Sequence, residues 1–372
     1  MSNNKDFVVA GAVEVGKDTK VTLGSITSSD IDLATGNYFA DTLAADTTYT
    51  ISNAGDVQAF QLEVTGGAVY DLSGSSYDSK SFSVSSYHTV PSDVFFKPDG
   101  TKMYTVGNGD DVNQFALSTA WDVSTAVYET REGLVYGSAE GFFIKPDGTA
   151  MYYLIGQAVY QSSLSTAWDV STSTYVIQKQ LNAETTTPTG VVFKPDGTKM
   201  YVCANISTGQ DINEYTLSTP WSIATASYVQ NFSVASQQTD PQGFAFSSDG
   251  TILLLAGITA DEVHQYNLST AWDISTASYS NISFSTGGQE VNTKGIFWKP
   301  DRSKFYIIGF DGDSVYQYSS EAPTTVTWPS SIEWAGGVAP AAPAAGETDV
   351  FTLVTDDGGT SYVGLKTADA LS

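Results

Sequence analysis

Two short strings recur along this chain and alternate with each other. The first has the form KPDG and occurs five times, as FKPDG from Phe96, IKPDG from Ile144, FKPDG from Phe193, FSSDG from Phe246 and WKPDR from Trp298. The second has the form LSTAWDVSTA and occurs four times, beginning at Leu117, Leu164, Leu217 and Leu268. Successive KPDG strings lie about 50 residues apart. A period of that length, in a chain rich in Tyr, Phe, Ser and Thr, is typical of propeller blades.

Each repeat has the pattern of four antiparallel strands. In VFFKPDGTKMYTVG, Pro98 and Gly100 predict a tight turn between a first and a second strand. A third strand follows in DVNQFALS, and a fourth follows AWDVSTA. Four such strands make one blade, so the five KPDG strings predict an all-β protein that contains a five-bladed β-propeller.

The fifth KPDG string has no LSTAWDVSTA string after it, and the last repeat stops after its third strand. The segment SSYDSKSFSVSS from Ser75, which precedes the first repeat, is similar to the fourth-strand sequence ASYVQNFSVAS from Ala226. We therefore predict that the early segment supplies the fourth strand of the fifth blade. This pairing would leave no blade incomplete.

The residues outside the repeats, 1–73 and 321–372, are predicted to form one β-rich, sandwich-like carrier domain. The propeller, residues 74–320, is then an insertion in a hairpin of this domain, and Val64 and Val326 are expected on paired strands. DDGG from Asp356 predicts a second hairpin turn. Because the carrier replaces a turn between a third and a fourth strand, we expect it at the end of the propeller that carries the KPDG turns.

The overall charge limits the possible partners. A formal charge of -25 and a pI near 4.1 argue against binding to nucleic acid or to anionic membranes. The single cysteine, Cys203, excludes a disulfide framework. The opening residues MSNNKDFVVAGAVEVG lack the pattern of a secretory signal, and no apolar run is long enough to span a bilayer. We therefore expect synthesis in a cytoplasm without membrane insertion.

The turns between second and third strands lie at the end opposite the KPDG turns and are rich in carboxylates. The candidate ligand-binding residues there are Asp110, Asp111, Asp211, Asp261, Glu262, Asp311 and Asp313, together with His264. Turn aspartates often satisfy nearby backbone N–H groups, which is a purely structural interpretation. An acidic surface for a cationic ligand is another interpretation. We expect no cofactor. Bound calcium is the alternative, although no loop has an EF-hand pattern.

The sequence favours a protein that is not an enzyme. It contains two histidines, His88 and His264, which we expect to be solvated loop residues, and it has no GxSxG or HExxH motif. A pair of carboxylates in the central channel, acting on glycans, is the alternative, because sequence does not give the separations that matter. The repeat tryptophans are expected to pack between blades rather than to stack on sugars.

Two sets of residues resemble known families. LATGNYF and TYTISN before the repeats, with TWPSSIEWAGG and DVFTLVTDDGGTSY after them, resemble a β-rich domain of tail-fibre and other virion proteins of tailed bacteriophages, particularly marine ones. The KPDGTKMY units resemble YVTN- and NHL-like propellers. In the phage relatives the two halves of the β-rich domain are contiguous, so the inserted repeats are a departure.

The phage resemblance implies a location and a set of partners. It implies a virion structural protein, namely a tail fibre, a spike or a surface decoration, that displays the propeller for adhesion to a host. The implied partners are other virion proteins and a host surface glycan or protein. A homo-oligomer, in particular a trimer, is also implied. A glycan-degrading enzyme of the virion is the alternative function.

Overall fold

The protein is described here from a computed structural model. The structure describes residues 22–371 except 44–46, 67, 71, 136, 182–184, 186, 207–208, 260, 325, 336 and 344–346. The opening residues 1–16, on which the expectation about a secretory signal rests, lie outside the described residues. The described chain consists of β-strands, turns and single turns of 3-10 helix, which confirms the all-β class. None of these helical turns is long and apolar enough to cross a membrane. The chain divides into two compact units, Met1–Val69 with Pro323–Ser372, and Tyr70–Ala322.

The strands are numbered in chain order. Before the repeats lie β1 (Ile26–Thr27), β2 (Asp30–Asp32), β3 (Tyr38–Thr42), β4 (Thr47–Thr48), β5 (Thr50–Ser52), β6 (Gln58–Thr65), β7 (Ala68–Tyr70) and β8 (Ser76–Ser83). The repeats contain β9 (Pro91–Phe96), β10 (Lys102–Gly107), β11 (Asp111–Leu117), β12 (Ala126–Gly133), β13 (Gly141–Ile144), β14 (Ala150–Ile155), β15 (Ala158–Leu164), β16 (Ser173–Gln180), β17 (Pro188–Phe193), β18 (Lys199–Ile206), β19 (Gly209–Leu217), β20 (Ala226–Ser233), β21 (Pro241–Phe246), β22 (Ile252–Gly257), β23 (Glu262–Leu268), β24 (Ala277–Ser285), β25 (Thr293–Trp298), β26 (Lys304–Gly309) and β27 (Ser314–Ser319). After them come β28 (Glu321–Pro323), β29 (Val326–Thr327), β30 (Ile332–Trp334), β31 (Thr348–Thr355) and β32 (Tyr362–Leu371).

The first unit is built on a mixed five-stranded sheet in the order β3-β6-β31-β32-β30. Strand β6 comes from before the repeats and pairs antiparallel with β31 from after them. Both strands alternate apolar and polar residues, so Phe60 and Leu62 of β6 and Phe351 and Leu353 of β31 point to one side and are buried in a common core. The two pieces of chain therefore fold as one unit.

The expected pairing of Val64 with Val326 is wrong. Val64 lies opposite Asp349 of β31, and Val326 pairs in parallel with Thr47 of β4. The physical reason is that both edges of β6 are already occupied, by β3 and by β31. The DDGG turn does join two antiparallel strands, β31 and β32, as expected, with Gly358 and Gly359 at φ values of 74° and 84°.

The second unit contains five four-stranded antiparallel sheets, which we number in chain order by their KPDG turns. The first four sheets each use four consecutive strands, from β9 to β24, and the fifth has the order β25-β26-β27-β8. In this fifth sheet Ser81 of β8 lies opposite Tyr316 of β27. The prediction that the early segment supplies the missing fourth strand is confirmed.

The first strands of the five sheets lie next to one another in a cycle. They are not hydrogen-bonded into one closed sheet, but each packs against the first strand of the next sheet, and the fifth packs against the first. The apolar clusters correspondingly join residues of neighbouring sheets: Tyr104 of the first packs with Phe142 of the second, and Tyr306 of the fifth packs with Phe96 of the first. Each sheet thus buries its faces against its neighbours.

Each LSTAWDVSTA loop fastens one sheet to the sheet before it. The Trp121 indole lies over Gly100. The Trp121 backbone N–H donates to the Gly100 carbonyl at 3.0 Å, and the Trp121 backbone carbonyl accepts the Tyr306 hydroxyl of the fifth sheet at 2.8 Å. The same bond joins Tyr104 to Trp168, Tyr152 to Trp221 and Tyr201 to Trp272. The expected packing of these tryptophans between neighbouring sheets is confirmed.

The fifth sheet, which has no such loop, shows what the loop requires. Gly100 has a φ of 72°, and a Cβ there would lie 2.4 Å from the indole, so this position needs glycine wherever a tryptophan covers it. The fifth sheet has Arg302 at the equivalent position, where no tryptophan follows. In the fourth sheet Leu254 replaces the tyrosine, because the next sheet offers no tryptophan carbonyl to bond.

A single helical turn, Leu72–Gly74, takes the place of the missing loop. The Leu72 N–H donates to Gln265 Oε1 of the fourth sheet at 3.1 Å, as the Val123 N–H donates to Gln317 of the fifth sheet at 3.2 Å. Leu72 is buried in the apolar cluster that joins the fourth and fifth sheets. The residues before β8 therefore complete the contact between these two sheets.

Replacing Leu72 by Ala should lower the free energy of unfolding of the second unit by about 2–5 kcal/mol, because it opens a cavity between two sheets. Val127→Ala, at a side chain that is 63% exposed, is the matched control and should cost less than about 0.5 kcal/mol. Chemical denaturation measures both. Equal small losses would mean that Leu72 does not fill this position.

Candidate functional site

The carboxylates of the KPDG turns hold these turns together. Asp99 accepts hydrogen bonds from the N–H and hydroxyl of Thr101 and forms an ion pair with Lys97 at 2.6 Å. Partial burial opposes ionisation, but these bonds outweigh it and lower the pKa of Asp99 to about 2. Asp147, Asp196 and Asp301 make equivalent contacts. The carboxylates at this end are therefore structural.

Three of the predicted site residues at the opposite end have the same backbone role. Asp110, Asp261 and Asp313 adopt positive φ values of 54°, 50° and 43°, which Asp tolerates better than most residues. Their carbonyls accept N–H groups from the segments that follow the fourth strands, for example from Leu134 to Asp110 at 2.7 Å. The Asp110 side chain is exposed, and those of Asp261 and Asp313 are partly exposed.

Asp311 and Glu262 also lie at this end. Asp311 is exposed and its carboxylate accepts a hydrogen bond from Asn292, while Glu262 is half-buried at the start of β23. Asp110 and Asp311 therefore present the most exposed carboxylates of the predicted set. The seven acidic residues do not form one exposed ring.

The expectation that Asp111 and Asp211 are exposed at this end is wrong, and their ligand-binding role stays a prediction. Each is the first buried residue of a third strand, and they are 6% and 8% exposed. Asp111 accepts a hydrogen bond from Asn113 at 2.8 Å and lies 3.3 Å from the Arg131 guanidinium, and Asp211 accepts one from Asn231 at 2.6 Å. Their charges stabilise polar groups inside the sheets, so neutralising them would perturb the fold.

His264 is not the solvated loop residue that the sequence suggested. It lies within β23 and is 5% exposed, because the strand begins two residues before it, at Glu262. Neither ring nitrogen has a hydrogen-bond partner among the described residues, and Glu262 lies 3.9 Å from Nδ1. Burial lowers the pKa of His264, although the Glu262 charge opposes this effect.

His88 is likewise buried rather than solvated. Its Nε2 lies 3.0 Å from the Asn113 amide nitrogen, 3.2 Å from the Thr105 hydroxyl and 3.4 Å from the Thr105 carbonyl. Asp111 Oδ1 lies 3.9 Å from the other ring nitrogen, Nδ1. Burial is the main reason that the pKa of His88 is lowered. The two histidines belong to different sheets and form no common catalytic group.

No metal centre is evident in the part of the chain that the structure describes. Among the described residues, no group of three or more His, Cys, Asp or Glu side chains is arranged to hold a metal ion. A calcium ion bound at the exposed carboxylates would need ligands from a second molecule or from water, since calcium takes six to eight oxygens. The calcium alternative remains a prediction.

Two cavities lie along the first strands. One, of about 270 Å³, is almost entirely apolar and contains Asp93. The other, of about 430 Å³, is lined mostly by polar residues. Four of them directly precede the equivalent glycines of four first strands, namely Glu140, Thr189, Gln242 and Lys294. Lys294 donates to Gln242 at 3.0 Å across two neighbouring sheets. Sequence analysis missed these residues.

A signal for Asp93 is present in the repeats. The first strands read GFFI, GVVF, GFAF and GIFW in four repeats and DVFF in the first, so one repeat replaces a glycine by an acid. Asp93 is nearly fully buried, and burial raises its pKa to about 7 against the effect of two backbone N–H bonds. It is the most strongly perturbed carboxyl group that the described residues contain.

Known structures that resemble this chain share little of its sequence. A protein of unknown function from Desulfotomaculum acetoxidans is 13% identical over 59% of this chain and 62% of its own, with a TM-score of 0.37. The Cps50 (Swd1) β-propeller domain of Myceliophteria thermophila is 11% identical over 62% of this chain and 82% of its own, with a TM-score of 0.39. A protein from Lactobacillus plantarum is 12% identical over 62% and 67%, with a TM-score of 0.40. No family model and no curated protein matches the sequence.

Replacing His264 by Asn should reduce the loss of stability at acidic pH. Asn occupies the equivalent position in the first and third sheets, as Asn113 and Asn213, so the change suits the fold. Because burial lowers the pKa of His264 below its ordinary value near 6.5, its contribution to stability is present above that pH and is lost as the pH falls through the folded-state pKa.

The measurement is the free energy of unfolding of both proteins between about pH 8 and pH 5. Both carry Asp93, whose raised pKa acts in the opposite direction, so the difference between them isolates His264. The free energy of unfolding of the variant should rise relative to that of the wild type as the pH falls. A difference that does not change with pH would contradict the assignment.

Proposed function

We propose that residues 70–322 are a five-bladed β-propeller inserted into a β-rich carrier domain, and that the chain is a structural protein of a bacteriophage virion. The cyclic packing of the five first strands supports the propeller. The resemblance of LATGNYF and DVFTLVTDDGGTSY to phage tail-fibre proteins supports the virion location. Its partners are then other virion proteins, and a trimer is the oligomer that this resemblance favours.

The observation that carries an adhesive function is the difference between the two ends of the five-sheet unit. At one end the KPDG turns and tryptophan loops are nearly identical, and their polar groups are bonded to each other. At the other end the turns differ in length and sequence, and Asp110 and Asp311 are exposed. A rigid scaffold that presents variable loops is the usual arrangement of a binding surface.

The chemistry of this variable end favours a cationic or a cation-bridged ligand. The exposed groups are carboxylates, and the chain carries a formal charge of -25, so an anionic partner such as nucleic acid would be repelled. Host surface glycans with amino groups, or a host surface protein with a basic patch, fit this charge. The proposed function is therefore attachment to a host surface through the variable end.

The test is retention of the labelled whole chain on host cells, with and without three substitutions, Asp110→Asn, Asp261→Asn and Asp311→Asn. Asn keeps the tolerance of positive φ that Asp110 and Asp261 need. Binding should weaken about tenfold, because two exposed charge contacts and one partly exposed charge contact, at about 0.5 kcal/mol each, sum to about 1.5 kcal/mol.

The matched control removes three exposed charges from the first unit, with Asp56→Asn, Glu333→Gln and Asp356→Asn. This triple variant changes the net charge equally and should bind like the wild type. Equal binding by both variants would contradict adhesion at the variable end. Incubation with host polysaccharide separates the enzymatic alternative, since a fall in polymer length would indicate a glycan-degrading enzyme.

A further inference from the structure

One position of the first strand differs between the repeats. Four first strands carry glycine there, and the first sheet carries Asp93; the glycines are Gly141, Gly190, Gly243 and Gly295. A Cβ on Gly243 would lie 2.8 Å from the backbone of Gly295, and a Cβ on Gly295 would lie 2.6 Å from Asp93 Oδ1. The first strands lie very close together at these positions. The Asp93 carboxylate therefore fills the space that a side chain in place of Gly295 would need.

Asp93 is held in place, but no charged side chain pairs with it among the described residues. Its Oδ1 accepts the N–H of Val94 at 2.8 Å, and its Oδ2 accepts the N–H of Phe142 in the second sheet at 2.9 Å. A carboxylate can accept about four hydrogen bonds, so each oxygen retains acceptor capacity. Among the described residues that line its cavity, Asp93 is the one ionisable group.

The cavity beside Asp93 is aromatic and small. Its walls include Phe95, Phe143 and Phe297, and the ring centroids of Phe143 and Phe297 each lie 5.3 Å from that of Phe95. The prolines of four KPDG-like turns line the same space. Its volume of about 270 Å³ lies just below the usual range of drug-sized pockets, about 300–1,000 Å³, and suits a short unbranched chain or one side chain.

We propose that this cavity binds a primary ammonium group on an apolar stem, with the ammonium at Asp93 and the stem among the phenylalanine rings. A buried carboxylate without a counter-ion gains most from a cation, and aromatic faces also attract cations. An anion would be repelled, and a sugar would leave most of its hydroxyl groups unbonded against apolar walls. This inference does not rest on the proposed adhesive function.

The same chemistry is found in a small alkylamine and in a lysine side chain of another protein. Both carry a charged amine on about four to six methylene groups. The shared feature is the ammonium group that replaces the missing counter-charge of Asp93. Comparing a free amine with a capped lysine distinguishes the two sources.

The test is calorimetric titration of the whole chain at about pH 8 with hexylamine, hexanol and Nα-acetyl-lysine methylamide. Hexylamine should bind at least about tenfold more tightly than hexanol, which has the same stem without the charge. The preference should disappear near pH 5.5, since burial raises the pKa of Asp93 to about 7, whereas an alkylamine stays charged below about pH 10. Tighter binding of the capped lysine than of hexylamine would identify a protein side chain as the ligand; the reverse would identify a small amine.

Two substitutions of Asp93 test whether its charge is responsible for the preference for hexylamine. Asp93→Asn removes the charge with little change of shape, and Asp93→Gly introduces the residue of the other four sheets, so at least one should fold normally by circular dichroism. Both should bind hexylamine no better than hexanol. Phe143→Val, which copies Val192 of the third sheet, should weaken hexylamine and hexanol equally.

Two results would overturn the proposal. One is equal affinity of the wild type for hexylamine and hexanol, or binding of neither. The other is a tenfold preference for hexylamine that persists in a folded Asp93 variant. Either result would leave Asp93 with the purely structural role of joining the first sheet to the second through Phe142.

Discussion

The second unit depends on one repeated contact, in which a tryptophan with a left-handed backbone covers a glycine and offers its carbonyl to a tyrosine of the preceding sheet. Trp121, Trp168, Trp221 and Trp272 have φ values between 63° and 67°, a conformation that bulky residues rarely adopt. The strain is offset by the indole stacking, as between Trp121 and Phe96 at 5.8 Å, and by the hydrogen bonds at both backbone groups. Each bond alone contributes only about 1 kcal/mol, so the packing that it orients provides most of the stability.

The fifth sheet shows that these residues act together. Where the tryptophan loop is absent, Arg302 replaces the covered glycine and Leu254 replaces the tyrosine that would have bonded the loop. Leu72 and β8, from an earlier part of the chain, supply the missing contacts. The same joining of early and late segments recurs in the first unit, where β6 pairs with β31. The chain thus pairs an early segment with the last repeat in the second unit, and pairs early with late segments in the first unit.

The repeats allowed much of this arrangement to be predicted, because identical strings must occupy identical positions. Five four-stranded sheets and the use of Ser76–Ser83 in the fifth follow from comparing the repeats with each other. The pairing of Val64 with Val326 failed because no repeat reports on the first unit, where several strands compete for one edge. The sequence did not predict the burial of three residues, Asp111, Asp211 and His264. A difference of one residue in the length of a turn decides whether a side chain points outward or into the sheet.

The differences between repeats are as informative as the similarities. Asp93 stands where four other repeats have glycine, and this exception points to the cavity in which we propose a ligand. The varied turns at the opposite end point to the proposed adhesive surface. In a rigid scaffold of this kind, the residues common to all repeats maintain the packing. The residues that differ between repeats are free to bind a ligand.

Amide hydrogen exchange in the fifth sheet tests the central claim, that a segment from before the repeats completes the packing of neighbouring sheets. The account predicts that the amides of β27 that bond to β8 are as protected as those of β11 that bond to β12 in the first sheet. It also predicts that the two sheets lose protection together as denaturant is added. Rapid exchange of β27 and β8, with the first sheet still protected, would contradict the account.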